Sequence, residues 1–188
     1  MNSGYDSHYQ TEDLFGEPYP ELITFFSTFP KKGKVLDLGC GQGRDAIAIA
    51  RLGYQVVGID NSKVGIKQLN EKAIGEKLKL KGIVDDIYQY DAFSDFDFIL
   101  LDSMFHFNKK DLQKETDFIK RIVDCSKQET VIVFCIQNTG KKISILNSTI
   151  DFNGDIGRIH EASFPYQFKD DATGHISTTD YKLIAIKK

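Results

Sequence analysis

The segment VLDLGCGQGRDAIAIA, residues 35–50, constrains this chain more than any other. An apolar run (KVLDL, 34–38) leads directly into Gly39, Gly41 and Gly43, and a second apolar-periodic run (DAIAIARL, 45–52) follows and is stopped by Gly53. The pattern is a buried strand, a glycine loop and a helix. Glycines there let the main chain turn sharply and approach a ligand closely. Open N–H groups at the helix start favour a carboxylate or phosphate. In a doubly wound sheet such a loop lies beyond the carboxyl ends of the strands, where ligands bind.

Two details narrow the ligand. The spacing is G-x-G-x-G, and Arg44 stands where the dinucleotide fingerprint carries its third glycine. No Gly-Lys-Ser/Thr follows, so the phosphate-binding P-loop is excluded. Asp37 sits inside the strand, and a buried carboxylate needs hydrogen-bond partners. A cationic amino group or the N–H groups of the loop would serve. Neither detail favours NAD over a ligand with its own ammonium.

The rest of the chain alternates. A short amphipathic helix is predicted over 20–29, opened by Pro20 and Glu21 and ended by Pro30. Further strands are expected at 55–59, 78–84, 96–101 and 130–136. Helices are expected from a Ser62 cap to about Lys77, and over 109–126 and 141–150. Strands alternating with helices predict an α/β fold with a doubly wound, Rossmann-like, mostly parallel sheet. The tail differs: 158–168 and 177–187 look extended, joined by a loop with Asp170, Asp171 and Gly174. That reads as a hairpin adding an antiparallel C-terminal strand. A length of 188 residues suits one domain, divided here into an N-terminal lid and helix segment (1–32) and the main unit (33–188).

Acidic residues end the strands that flank the glycine loop. Asp60 closes the second strand, where a carboxylate can accept from both hydroxyls of a ribose. With Asn61 and Ser62 following, it can instead serve as a turn or capping residue. The third strand ends in Asp85, Asp86 and Ile87. A carboxylate there, Asp86 ahead of Asp85, suits an exocyclic adenine amino group, while the Ile87 N–H suits a ring nitrogen. The alternative is a solvated acidic turn.

Taken together, VLDLGCGQG, VVGID, DDI and FDFILLD resemble class I S-adenosylmethionine-dependent methyltransferases over roughly residues 33–136. Among these the chain is most similar to small stand-alone enzymes of the tellurite-resistance and small-molecule-methylating type. The resemblance implies a seven-stranded sheet with an antiparallel last strand. It implies S-adenosyl-L-methionine as cofactor and S-adenosyl-L-homocysteine as product. It further implies that Asp37 and the loop Gly39, Cys40, Gly41 and Gly43 hold the methionine portion. Asp60 with Asn61 would take the ribose, Asp85, Asp86 and Ile87 the adenine, and Leu101 and Asp102 would line the methionine end.

The acceptor side is less legible. The segment after the fourth strand, DSMFHFN, lacks the Pro-Pro-aromatic run of amino-methylating nucleic-acid enzymes and the Pro-Cys of pyrimidine C5 methylation. Its titratable candidate is His106. An imidazole can take a proton from a thiol, hydroxyl or amine near neutral pH, but between Phe105 and Phe107 it can equally be a packed residue. Cys40 reads as a small packing residue rather than a nucleophile, and Arg44 as solvated ahead of paired with an anionic substrate. Tyr5, Tyr9 and Phe15 suit a flap over the cofactor or plain packing of the N-terminus.

Charge and composition limit the partners. With 24 basic and 27 acidic residues mixed along the chain, no basic face announces a nucleic-acid partner. Three widely spaced cysteines, Cys40, Cys125 and Cys135, suggest neither a disulfide framework nor a zinc site, and no other metal-ligand spacing stands out. There is no signal-peptide pattern at the start and no apolar stretch near the roughly 18 residues of a membrane span. The expectation is a cytoplasmic enzyme acting on a small-molecule acceptor, with its oligomeric state unspecified. The rival readings are a non-catalytic S-adenosylmethionine-binding module and a NAD-dependent oxidoreductase on a related sheet.

Overall fold

Central strands that are apolar on both faces must be covered on both faces. In the computed structural model, which describes residues 6, 9, 11, 14–151, 156–169 and 176–188, this requirement organises the fold. The strands β1 (Lys34–Leu38), β4 (Phe98–Asp102) and β5 (Val131–Gln137) are buried along nearly their whole length, whereas β3 (Leu80–Val84) at the edge is mostly open. With β2 (Gln55–Asp60), β6 (Gly157–Lys169) and β7 (Ile176–Lys187) they form one seven-stranded sheet in the order β3-β2-β1-β4-β5-β7-β6. Pairing is parallel from β3 to β5, and β7 runs antiparallel to both β5 and β6. The expected Rossmann-like sheet with its terminal hairpin is therefore present.

Period-two alternation divides the core. Val35, Phe98, Leu100, Val131 and Val133 pack on one face with α1 (Pro20–Ser27), α2 (Arg44–Arg51) and Leu69 of α3 (Lys63–Gly75). Leu36, Leu38, Ile99, Leu101, Ile132 and Phe134 pack on the other with α4 (Leu112–Cys125) and α5 (Lys142–Asp151). Ser62 caps α3 as expected, its hydroxyl accepting from the Gly65 N–H at 3.1 Å.

Several boundaries differ from the sequence reading. The first helix stops at Ser27, capped by Thr28, before Pro30 is reached. The third and fourth strands begin two residues later than expected, and Asp102 lies inside β4. The crossing from β3 to β4 carries only a single 3-10 turn, Phe93–Asp95. Tyr5 and the hairpin-loop residues Asp170, Asp171 and Gly174 lie outside the described residues. No helix among the described residues is long and apolar enough to cross a membrane.

The chain leaves β1 toward β2 and β3, then returns to β4 on the other side of β1. The loops after β1 and β4 therefore diverge and open a crevice at the carboxyl edge of the sheet.

Candidate active site at the carboxyl ends of the strands

The glycine loop is pinned at its root, since the N–H groups of Gly39 and Cys40 both donate to Ile59 O, at 2.8 and 3.1 Å. Gly41 and Gly43 then take left-handed φ values of 52° and 86°. Space excludes side chains there too: a Cβ on Gly41 would lie 2.7 Å from the Tyr9 hydroxyl, and one on Gly43 2.7 Å from Leu69 Cδ1. At Gly39 the Met104 side chain comes as near as 3.0 Å to the same imagined atom. Cys40 turns its sulfur toward Gly58, beneath the loop, and burial pushes its thiol pKa up. That matches a packing role.

Asp60 joins the loop to the next helix. One carboxylate oxygen accepts from the Gly41 N–H at 3.0 Å and the other from the Ser62 N–H at 2.7 Å. Burial raises its pKa, and these donors oppose the shift. Asn61 beside it is exposed.

Asp37 and Asp102 lie on the same face of the sheet, both on the α2 side, because alternate residues of adjacent parallel strands share a face. Arg44 enters between the acids. Its guanidinium is paired to Asp102 and, at 2.8 and 3.1 Å, to Asp45, and it stacks 4.5 Å from the Tyr19 ring centre. The expectation that Arg44 is solvated is thus overturned: α2 begins with its side chain facing β4, where two carboxylates and an aromatic ring enclose it. Asp37 is 3% exposed and receives no hydrogen bond from the described residues. Burial raises its pKa well above the usual carboxylate range, the charges of Asp45 and Asp102 add to this, and Arg44 opposes it. Leu101, by the same alternation, points to the opposite face and is 1% exposed within the α4-side core. Its side chain is turned away from Asp102.

At the end of β3, Asp85 and Asp86 are exposed and fold into a turn. Asp85 Oδ1 accepts from the Asp86 N–H at 2.8 Å, and Asp86 Oδ1 from the Tyr88 N–H at 2.9 Å. Ile87 is half-buried and packs on the α4-side core.

The loop after β4 is strained and anchored. Ser103 and Phe107 have φ values of 54° and 52°. Phe105 and Phe107 are buried and stacked with ring centres 5.7 Å apart, while His106 between them is exposed. His106 is therefore not a packed core residue. The anchor is Glu115, 3% exposed, whose carboxylate accepts from the N–H groups of His106 at 3.1 Å and Phe107 at 2.6 Å. Glu115→Gln replaces one acceptor oxygen with a donor and leaves a loop N–H without a partner. The expected result is a loss of about 1–2 kcal/mol in a chemical denaturation experiment; unchanged stability would mean that the loop holds its own shape.

Two further elements border the crevice. Tyr9 is buried over Gly41 and Gly65, its carbonyl accepting from Gln68 Nε2 at 3.0 Å. Gln42, in the glycine loop, donates to Thr11 O at 2.7 Å and accepts from the Leu14 N–H at 3.0 Å. From the other side, β7 pairs with β5 only from Tyr181 onward, so the distal part of the β6–β7 hairpin projects past the end of β5. There Tyr166 donates to Phe15 O or Glu17 O, each 3.0 Å away, and the Tyr19 hydroxyl bonds Ser103 Oγ at 3.1 Å. The sequence reading missed Gln42, Tyr19, Ser103, Glu115 and Tyr166. Ser103 was read only as part of the segment after the fourth strand, and Glu115 only as one charge of the helix expected over 109–126.

Comparison with known proteins agrees with this geometry. Residues 35–127 match the family model described as a methyltransferase domain. A stretch of 74 residues is 39% identical to the "Probable S-adenosyl-L-methionine-dependent methyltransferase TehB" of Haemophilus influenzae, covering 39% of this chain but only 26% of TehB. The crystal structure of TehB superposes with a TM-score of 0.73 at 20% identity, over 98% of this chain and 65% of TehB. A structure described by the conversion of a disulfide bond into a thioacetal group during echinomycin biosynthesis gives a TM-score of 0.78 at 19% identity, over 98% and 90% of the two chains. Magnesium protoporphyrin IX methyltransferase from Synechocystis PCC 6803, with S-adenosylmethionine bound, gives 0.70 at 14% identity, over 100% and 86%. The structural likenesses show the shared fold, and the family model places a methyltransferase domain over residues 35–127, the part of the chain that carries the glycine loop and the strand ends described above.

Proposed function

We propose that this chain transfers the methyl group of S-adenosyl-L-methionine to a small-molecule acceptor. The observation that carries this reading is Asp37, a buried carboxylate at the crevice that accepts no hydrogen bond from the described residues. Asp37, Asp45, Asp60 and Asp102 converge there, with Arg44 as the opposing charge that acts on Asp37. A ligand with a sulfonium and an ammonium suits such a site. A dinucleotide pyrophosphate would meet carboxylates instead.

Residue roles follow from chemistry and position. Asp37 accepts from the ammonium of the methionine portion, beside the main chain of Gly39 to Gly43. Asp60 uses two of its roughly four acceptor positions on the loop, leaving others for ribose hydroxyls. Asp85, Asp86 and Ile87 stand at the end of the strand beyond, where the adenine would lie. Leu101 contributes main chain only, and Asp102 acts through Arg44. The segment 1–32 supplies a lid and a helix to the domain 33–188, a reading supported, among the described residues, by Tyr9 seated on Gly41 and by the Gln42 bonds to Thr11 and Leu14. When bound, the cofactor supplies an electrophilic methyl carbon open to in-line attack. His106 takes the proton of the attacking thiol, hydroxyl or amine, while the lid and hairpin exclude water and orient the acceptor. Three unpaired cysteines fit a reducing, cytoplasmic setting.

Calorimetry with S-adenosylmethionine, S-adenosylhomocysteine and NAD tests the reading. Either sulfur ligand should bind and stabilise the fold, by about 2.7 kcal/mol at about 100 times its Kd. Release of S-adenosylhomocysteine with a thiol, hydroxyl or amine acceptor should follow. Binding of NAD in their place would overturn the assignment, and binding without turnover of any acceptor would favour a cofactor-sensing module.

A further inference from the structure

At the same carboxyl edge of the sheet, on the side of α4 and α5, the ends of β4 and β5 border an open pocket of opposite character to the acidic crevice. Its lining includes His106 and Phe107 from the loop after β4, and Lys141, Lys142 and Ile145 from the segment after β5. Lys142 Nζ folds back to donate to Gln137 Oε1 at 2.8 Å, which holds the ammonium at the rim of the sheet. Among the described residues neither Lys141 nor Lys142 is in an ion pair. The acid that acts on Lys142 is Glu115, and both of its oxygens already accept main-chain N–H groups. Burial also lowers the Lys142 pKa, a cost that a bound anion would offset. The two sites thus divide by charge: carboxylates at β1, β2 and the α2 face of β4, and an imidazole with two ammonium groups beyond β4 and β5.

We propose that this pocket is the acceptor subsite and that it selects an organic anion, with its negative group at Lys141 and Lys142 and its apolar body against Phe107 and Ile145. The inference rests on the methyltransferase reading and names the substrate class of that enzyme. His106, on the same wall, stands beside the acceptor rather than beside the adenine end. A positive rim next to a negative cofactor site also keeps the two ligands in their own places, since each charge is repelled by the other subsite.

The test uses two probes of nearly equal size, benzoate and benzamide, titrated calorimetrically at neutral pH with and without S-adenosylhomocysteine, so that the two differ by the one negative charge. The anion should bind roughly tenfold more tightly than the amide, the scale expected of partly screened ion pairs. In the double variant Lys141→Gln, Lys142→Gln that preference should shrink to within about threefold, with S-adenosylhomocysteine affinity unchanged. Glutamine at 142 can still reach Gln137, so the fold is kept. Equal or tighter binding of the amide, no binding of either probe, or a preference untouched by the double variant would overturn the proposal. Loss of S-adenosylhomocysteine binding with the anion preference intact would count against the methyltransferase reading instead.

Discussion

Replacing His106 by glutamine should lower turnover by roughly 10²–10⁴ while leaving cofactor affinity within about twofold. The side chain is exposed, and the main-chain N–H of the same residue is tied to Glu115, so the ring is presented from an anchored loop. Glutamine keeps a polar side chain of similar reach but cannot accept a proton near neutral pH. Because Phe105 and Phe107 do the packing on either side, the melting temperature should not move. Steady-state kinetics, cofactor titration and thermal melting on one preparation separate the outcomes. Unchanged turnover would remove the base from the mechanism and point to an acceptor that arrives already ionised, with the family assignment untouched.

Asp60→Ala should weaken S-adenosylmethionine binding by about ten- to a hundredfold, or roughly 1.5–3 kcal/mol. The loss has two sources. One is the acceptor proposed for the ribose hydroxyls. The other is the bridge from Gly41 to Ser62, whose N–H groups lose their partner and let the glycine loop relax. Asp60→Asn distinguishes them, since its amide retains one oxygen for the loop but offers the ribose a poorer acceptor. If both sources operate, the asparagine variant should fall between wild type and alanine in affinity and melt closer to wild type. An unchanged Kd in the alanine variant would confine Asp60 to anchoring the loop.

The comparison of these two residues illustrates what could be read in the chain and what could not. Asp60 was legible because a strand period ends on it and a helix cap follows it, both local patterns. Its ribose role remained one of two readings, and the bridge to Gly41 was not foreseen, because that bond joins residues 19 positions apart. His106 was legible as a titratable side chain after the fourth strand. Whether it pointed inward or outward was not, since a His flanked by two Phe fits either. The fold decided the matter by burying both phenylalanines and spending the Glu115 carboxylate on the loop between them.

Local sequence determined the alternation of strands and helices, the glycine loop with its left-handed turns, the Ser62 cap and the terminal hairpin. Each depends on period, on glycine, or on a side chain within a few residues of its partner. Tertiary structure alone decided the electrostatics. Arg44 meets Asp102 across 58 residues and Tyr19 meets Ser103 across 84, separations at which no periodicity carries information. It likewise brought Tyr9 onto Gly41 and gathered two lysines and a histidine around one pocket at the ends of β4 and β5. These depend on which strands become neighbours and in what register, a choice made by burial of the whole apolar surface rather than by any segment of it.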